Sequence, residues 1–178
     1  GESDWMVRTT DGHFYATDRA IKNVHFVKGL QAYQLDQFFD EFYTPGLLPK
    51  LWEGEKKKEG TIQGLLDKSP PPEVMFGSLA DQSDEQATIY LRVVDTGGGI
   101  KDVQIFQNGK RLDPTAIDLQ ERKKEGTTST YSFTAPLVSG HNVFTAIATS
   151  KGNLASKRAT TELFSDASTP GSTCHVLA

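Results

Sequence analysis

The sequence predicts an α+β N-terminal module, three short strands plus an amphipathic helix, followed by an all-β sandwich of the immunoglobulin-like or fibronectin-like kind. Two observations carry this expectation. Apolar residues recur with a helical period only between about residues 35 and 52. From Pro72 to Phe164 they alternate with a period of two, and turn residues interrupt them about every 8–12 positions.

The elements follow in order. WMVR (5–8) and HFYA (13–16) are joined by TTDG, whose Asp-Gly step supplies the positive φ of a tight hairpin, and NVHFV (23–27) reads as a third strand. Leu35, Phe38, Phe39, Phe42 and Tyr43 fall at i, i+3, i+4, i+7 and i+8, which puts them on one face of a helix. The helix is expected to stop near Thr44 because Pro45 disfavours helical geometry in the residue before it, and a short second helix carries Leu47, Leu48, Leu51 and Trp52. Charge, glycine and a triple proline mark 55–71 as a joining segment, in which TIQGLLDK holds a brief helical turn. The expected division is 1–54 for the α+β module, 55–71 for the linker, 72–165 for the sandwich and 166–178 for a C-terminal segment.

In the sandwich, ATIYLRVV (87–94) places Ile89, Leu91 and Val93 on one face, and DVQIFQ (102–107) directs Val103 and Ile105 inward before the Asn108–Gly109 hairpin turn. Residues 113–127 form a charged polar excursion. TYSFTA (130–135) then turns Tyr131 and Phe133 inward, PLVSGHN leads into VFTAIAT (143–149), and SKGN leads back to RATTELF (158–164).

Composition excludes several function classes. Nineteen Lys plus Arg stand against 23 Asp plus Glu, and the basic runs EKKKEG (55–60) and ERKKEG (121–126) are each broken by Glu, so no patch tracks a phosphate backbone and no nucleic-acid partner is expected. Both runs read as solvated loops. No apolar run reaches the roughly 18 residues that span a bilayer, so no membrane partner is expected either. The N-terminus lacks the basic and apolar regions of a secretion signal, although a leader removed before Gly1 stays open. A single cysteine cannot form an internal disulfide, which leaves the compartment undetermined with a lean to the cytoplasm.

No set of residues assembles a reactive site. Cys174 and His175 are neighbours, and in an extended strand their side chains point to opposite faces, so they cannot pair as nucleophile and base. His13, His25 and His141 lack metal-ligand spacing, no zinc pattern occurs, and no cofactor is implied. DTGGGIKD (95–102) lacks the spacing of a phosphate cradle and the alternating ligands of a calcium loop. It reads as a flexible turn, with Asp95 and Asp102 a weak calcium candidate. No carboxylate pair is placed as glycoside hydrolysis would require.

DWMVRTTDGHFYAT (4–17), VHFVKG (24–29) and QLDQFFDEFYTPGLL (34–48), followed by PPPEV (70–74), DTGGGI, an Asn-Gly-Lys hairpin and SGHN (139–142), stand in an order that resembles a region of bacterial multidomain caspase-like peptidase proteins, often with WD-repeat propellers. The resemblance implies a non-catalytic scaffold or protein-interaction region that positions or regulates a downstream caspase-like domain of the same polypeptide, with another protein as a further partner. TCHVLA then resembles the first core strand of that domain, whose catalytic His and Cys lie beyond it, so no residue here receives a catalytic role. The family pattern also puts Phe144, Ala146 and Ala148 inside the sandwich and leaves Val143 and Ile147 for a neighbour. Two segments depart from the pattern: TDRAIKN (17–23), and the charged excursion 113–127. The rival reading is an adhesion or carbohydrate-binding sandwich, since Tyr90 and Phe106 are expected to face outward, where rings can stack on sugars. The interaction candidates are therefore Tyr90, Phe106, Val143 and Ile147.

Overall fold

The TTDG turn closes as its sequence requires. In the computed structural model, which describes residues 3–54 and 60–166, β1 (Met6–Arg8) and β2 (Phe14–Ala16) pair antiparallel across it, with Gly12 at φ 106° and its N–H donating to Thr9 O. Helix α1 (Asp18–Asn23) follows, in a stretch where the sequence predicts no element. Next, β3 (His25–Lys28) pairs with β4 (Gln31–Gln34), a strand too polar to announce itself by alternation. The N-terminal strands thus pair two and two rather than as a single set of three.

The expected helix over 35–43 exists in two pieces. A 3₁₀ turn spans Leu35–Phe38, and α2 (Phe39–Phe42) continues it after Phe38 takes a non-helical ψ of 7°. Phe38 and Phe42 are buried, whereas Phe39 stacks on Tyr43 at 4.7 Å near the surface. The tighter first turn lets Gln37 accept from the Gln34 N–H at 2.9 Å. Helices α3 (Leu47–Trp52) and α4 (Ile62–Lys68) complete the region, and α4 is capped by the Thr61 hydroxyl, which accepts from Gly64 N–H at 3.0 Å.

Two compact units result. The first contains the described residues up to Glu73 together with Val94–Val103 and Ile147–Lys157. Its core gathers Phe14, Ile21, Leu35, Phe38, Phe42, Ile62 and Leu66, and Leu154 joins them with no exposed surface. Gln37 is buried and fastens the 154–156 segment from both sides. Its Nε2 donates to Ala155 O at 2.8 Å, and its backbone O accepts from Ala155 N at 3.2 Å.

The second unit contains Val74–Val93, Gln104–Ala146 and the described residues from Arg158. Eight strands supply its two sheets: β5 (Glu73–Gln82), β6 (Gln86–Val94), β7 (Asp102–Gln107), β8 (Lys110–Arg111), β9 (Gln120–Glu125), β10 (Thr128–Pro136), β11 (Gly140–Thr149) and β12 (Ala159–Ser165). They are ordered β5-β6-β10-β9 and β12-β11-β7-β8, the four-on-four arrangement of an immunoglobulin- or fibronectin-like sandwich. Ala87, Ile89 and Leu91 of one sheet and Ile105, Phe144 and Ala146 of the other are buried, and Phe133 meets Phe144 at 5.9 Å.

Two sequence expectations change here. ERKKEG, read as a wet loop within 113–127, is largely strand β9, which pairs with β10 although all six of its residues are exposed. Backbone hydrogen bonds build this strand, so hydrophobic period could not reveal it. The register shifts between Thr130 and Tyr131, and Tyr131 ends half-buried rather than in the core with Phe133.

Burial, and then the charge of Glu121, push the Tyr131 hydroxyl above its ordinary value, against a smaller opposing hydrogen bond with Ser129. The folded chain therefore holds this proton more tightly than the unfolded chain. That contribution to stability is complete below about pH 10 and is lost as pH rises through the raised folded value. Tyr131→Phe is expected to flatten the alkaline fall of the denaturant midpoint, measured from about pH 9 to about pH 11; an unchanged slope would assign the fall to other groups.

Candidate functional site

In the triple glycine of 95–100, Gly97 and Gly99 take positive φ, and Gly98 answers a close passage of backbone. A Cβ on Gly98 would lie 2.2 Å from Pro70 O and 2.8 Å from Ser69 C, so only glycine fits although its φ is not positive. Gly152 is in the same position, because a Cβ there would meet the Ser69 side chain at 2.6 Å. Ser69 ties these approaches together. Its hydroxyl donates to Gly98 O at 3.1 Å and accepts from Gly152 N–H at 2.8 Å, and Lys151 N–H donates to the same Gly98 O at 3.1 Å. Asp95 closes the loop, since its Oδ1 accepts from Gly97 N–H at 2.9 Å and Gly99 N–H at 2.8 Å.

The calcium candidates therefore have structural occupations. Asp95 spends one oxygen on its own loop, and Asp102, the first residue of β7, is also engaged. Among the described residues, no three His, Cys, Asp or Glu side chains gather as a metal site.

The histidines go separate ways. His13 is 2% exposed, lies 5.3 Å from the Phe42 ring and shares a 3.3 Å hydrogen bond with the Thr44 hydroxyl. His25 stands exposed on β3. His141 bonds Glu162 across β11 and β12 and meets the edge of Phe164 at 5.4 Å. Cys174 and His175 lie outside the described residues.

The interaction candidates divide between faces. Tyr90 projects from β6 beside Gly77 of β5, where an added Cβ would lie 3.3 Å from the Tyr90 Cβ. Phe106 and Val143 stand on the other sheet, on neighbouring strands linked by Asn108 N–H to Val143 O and Val143 N–H to Asn108 Oδ1, each 2.8 Å. Tyr90 and Phe106 thus occupy different sheets and form no common platform. On β11, Phe144, Ala146 and Ala148 are buried, Val143 is exposed, and Ile147 is half-buried in the portion that belongs to the first unit.

The first unit also holds a groove of about 420 Å³. Met6, Phe14, Phe26, Leu35 and Ile62 line it apolarly, and Arg8, Asp11 and His25 are joined by Thr10, Thr61 and Gln63 as its polar groups. Asp11 accepts from the Thr9 hydroxyl. This lining suits an apolar contact bordered by charged and polar groups. The buried polar hubs Gln37, Ser69 and Asn142 escaped sequence reasoning. Asn142 is wholly buried and closes the SGHN turn, with Oδ1 accepting from Val138 N–H and Gln107 Nε2 and with Nδ2 donating to Val138 O. The Ser139–Gly140 step before it, whose glycine takes a positive φ, was the available signal.

No protein-family model matches the chain, and no curated protein matches it. Among solved structures, the fibronectin(III)-like modules of Clostridium thermocellum CbhA are similar at 18% identity and a TM-score of 0.40 over 53% of this chain. The match covers 46% of that structure's chain.

Two substitutions test this architecture. Gly98→Ala is expected to lower stability by about 1–3 kcal/mol through overpacking against Pro70, read by urea unfolding, and a loss within error would show that the passage is looser. Asp95→Ala is expected to cost about 1–3 kcal/mol by removing the acceptor of two amides, equally in calcium and in chelator. A loss seen only in calcium would instead assign Asp95 to an ion.

Proposed function

We propose that the chain is a non-catalytic scaffold and protein-interaction region that positions or regulates a caspase-like peptidase domain of the same polypeptide. The observation that carries this reading is the employment of its polar side chains. Ser69, Asp95, Gln37 and Asn142 each hydrogen-bond backbone that closes a loop or turn, and the described histidines are dispersed. Such an arrangement holds surfaces in place, and the His13 imidazole that meets the Thr44 hydroxyl is itself buried. The order of the hairpin, aromatic helix, proline joint, DTGGGI and SGHN motifs supports the association with a peptidase.

A second reading, an adhesion or carbohydrate-binding module, draws on the exposed ring of Tyr90, 37% accessible on its sheet. Sugar recognition there would rest on a single ring.

Incubation with fluorogenic peptides is expected to give no turnover. Hydrolysis that disappears on Cys174→Ala would overturn the scaffold reading. The adjoining coding sequence is expected to supply a caspase-like His and Cys, and their absence would remove the peptidase association. Loss of glycan-array binding on Tyr90→Ala would favour the second reading.

A further inference from the structure

The two sheets of the sandwich present four edge strands, and three of them carry devices that discourage pairing with another chain. Strand β9 is QERKKE, charged at five of its six positions. Strand β8 has only two residues, both cationic. Strand β12 carries Glu162 at its centre. Strand β5 keeps its charges near its ends, at Glu73 and Asp81, and has none along its middle. It runs for ten residues, and between Glu73 and Asp81 the stretch VMFGSLA contains neither charge nor proline. Met75 and Leu79 on this strand are 46% and 40% exposed.

We propose that the free edge of β5 is a docking site for an extended segment of another protein, apolar in its middle and basic at its ends, which adds as a fifth strand to the β5-β6-β10-β9 sheet. Backbone amides and carbonyls along such an edge supply the affinity, and alternate side chains supply the selection. The charge of the occupant follows from the acids that bracket the strand. Glu73 stands at one end and Asp81 at the other, with Asp84 and Glu85 in the turn that follows. A second copy of this chain paired about Gly77 would set each Glu73 against an Asp81, and like charges directly opposed disfavour that pairing. The proposal rests on β5 itself and is independent of whether a peptidase adjoins the chain.

The test is titration of the full isotopically labelled chain with a short synthetic peptide of alternating threonine and valine flanked by lysines. Controls are the same peptide flanked by glutamates and a version with a central proline. Saturable amide shifts confined to β5 and β6 are expected. The glutamate-flanked peptide should bind about three- to tenfold more weakly, and the proline peptide should not bind. Leu79→Lys, an exposed substitution, should weaken binding of the lysine-flanked peptide while leaving other resonances in place, and Met75→Lys serves if that variant does not fold. Shifts centred on β9 or β12, equal affinity for both flanking charges, or no shifts in β5 would overturn the proposal. So would a molecular mass that rises with concentration in the absence of peptide, since the edge would then be filled by a second copy.

Discussion

The hydroxyl of Ser69 holds three separated stretches of the first unit at once: its own, at the end of α4, and the loops at Gly98 and at Ser150–Gly152. Everything near it must be small, because the carbonyl of Gly98 also serves Lys151 N–H and the backbone of Pro70 passes within reach of a single carbon. A buried hydroxyl without partners would cost stability, whereas one with several sets the register of all the chain it touches. Within DTGGGI, Gly98 is therefore a steric requirement of packing, whereas Gly97 and Gly99 meet a conformational one through their positive φ.

The same economy recurs elsewhere. Gln37 holds Ala155 by donor and acceptor together, Asn142 holds the SGHN turn, and Asp95 holds its own loop. Each is a polar group whose hydrogen-bonding capacity is directed at backbone that has no ladder partner. The apolar complement is Leu154, which lies between two of these fastenings and enters the core of the first unit. Polar closure fixes where the loop runs, and Leu154 supplies the burial that keeps it there.

Much of this architecture was legible because alternation and turn chemistry are local. Strands β6 and β11 bury every second residue, and Asp11–Gly12 and Asn108–Gly109 turn the chain with positive φ at Gly12, Asn108 and Gly109. Helix α1 and strand β4 were not legible. DRAIKN buries only Ala20 and Ile21, and QAYQ offers a single half-buried tyrosine, so neither carries a periodic apolar signal. The split of the aromatic helix at Phe38 was equally hidden, since a 3₁₀ turn and an α-turn place nearly the same residues inward. Among the candidate residues, alternation marked Tyr90 and Phe106 as outward. Their separation onto different sheets depends on strand order, which a period of two does not encode.

Strand β9 carries a consequence for how this sequence can change over time. Its identity resides in its amides and carbonyls, while all six side chains face water. Individual letters of QERKKE are open to drift so long as some charge persists. The count of residues is not, because the skipped partner opposite Thr130 and Tyr131 fixes the spacing. Relatives of this chain should therefore preserve the length of that segment more faithfully than its wording.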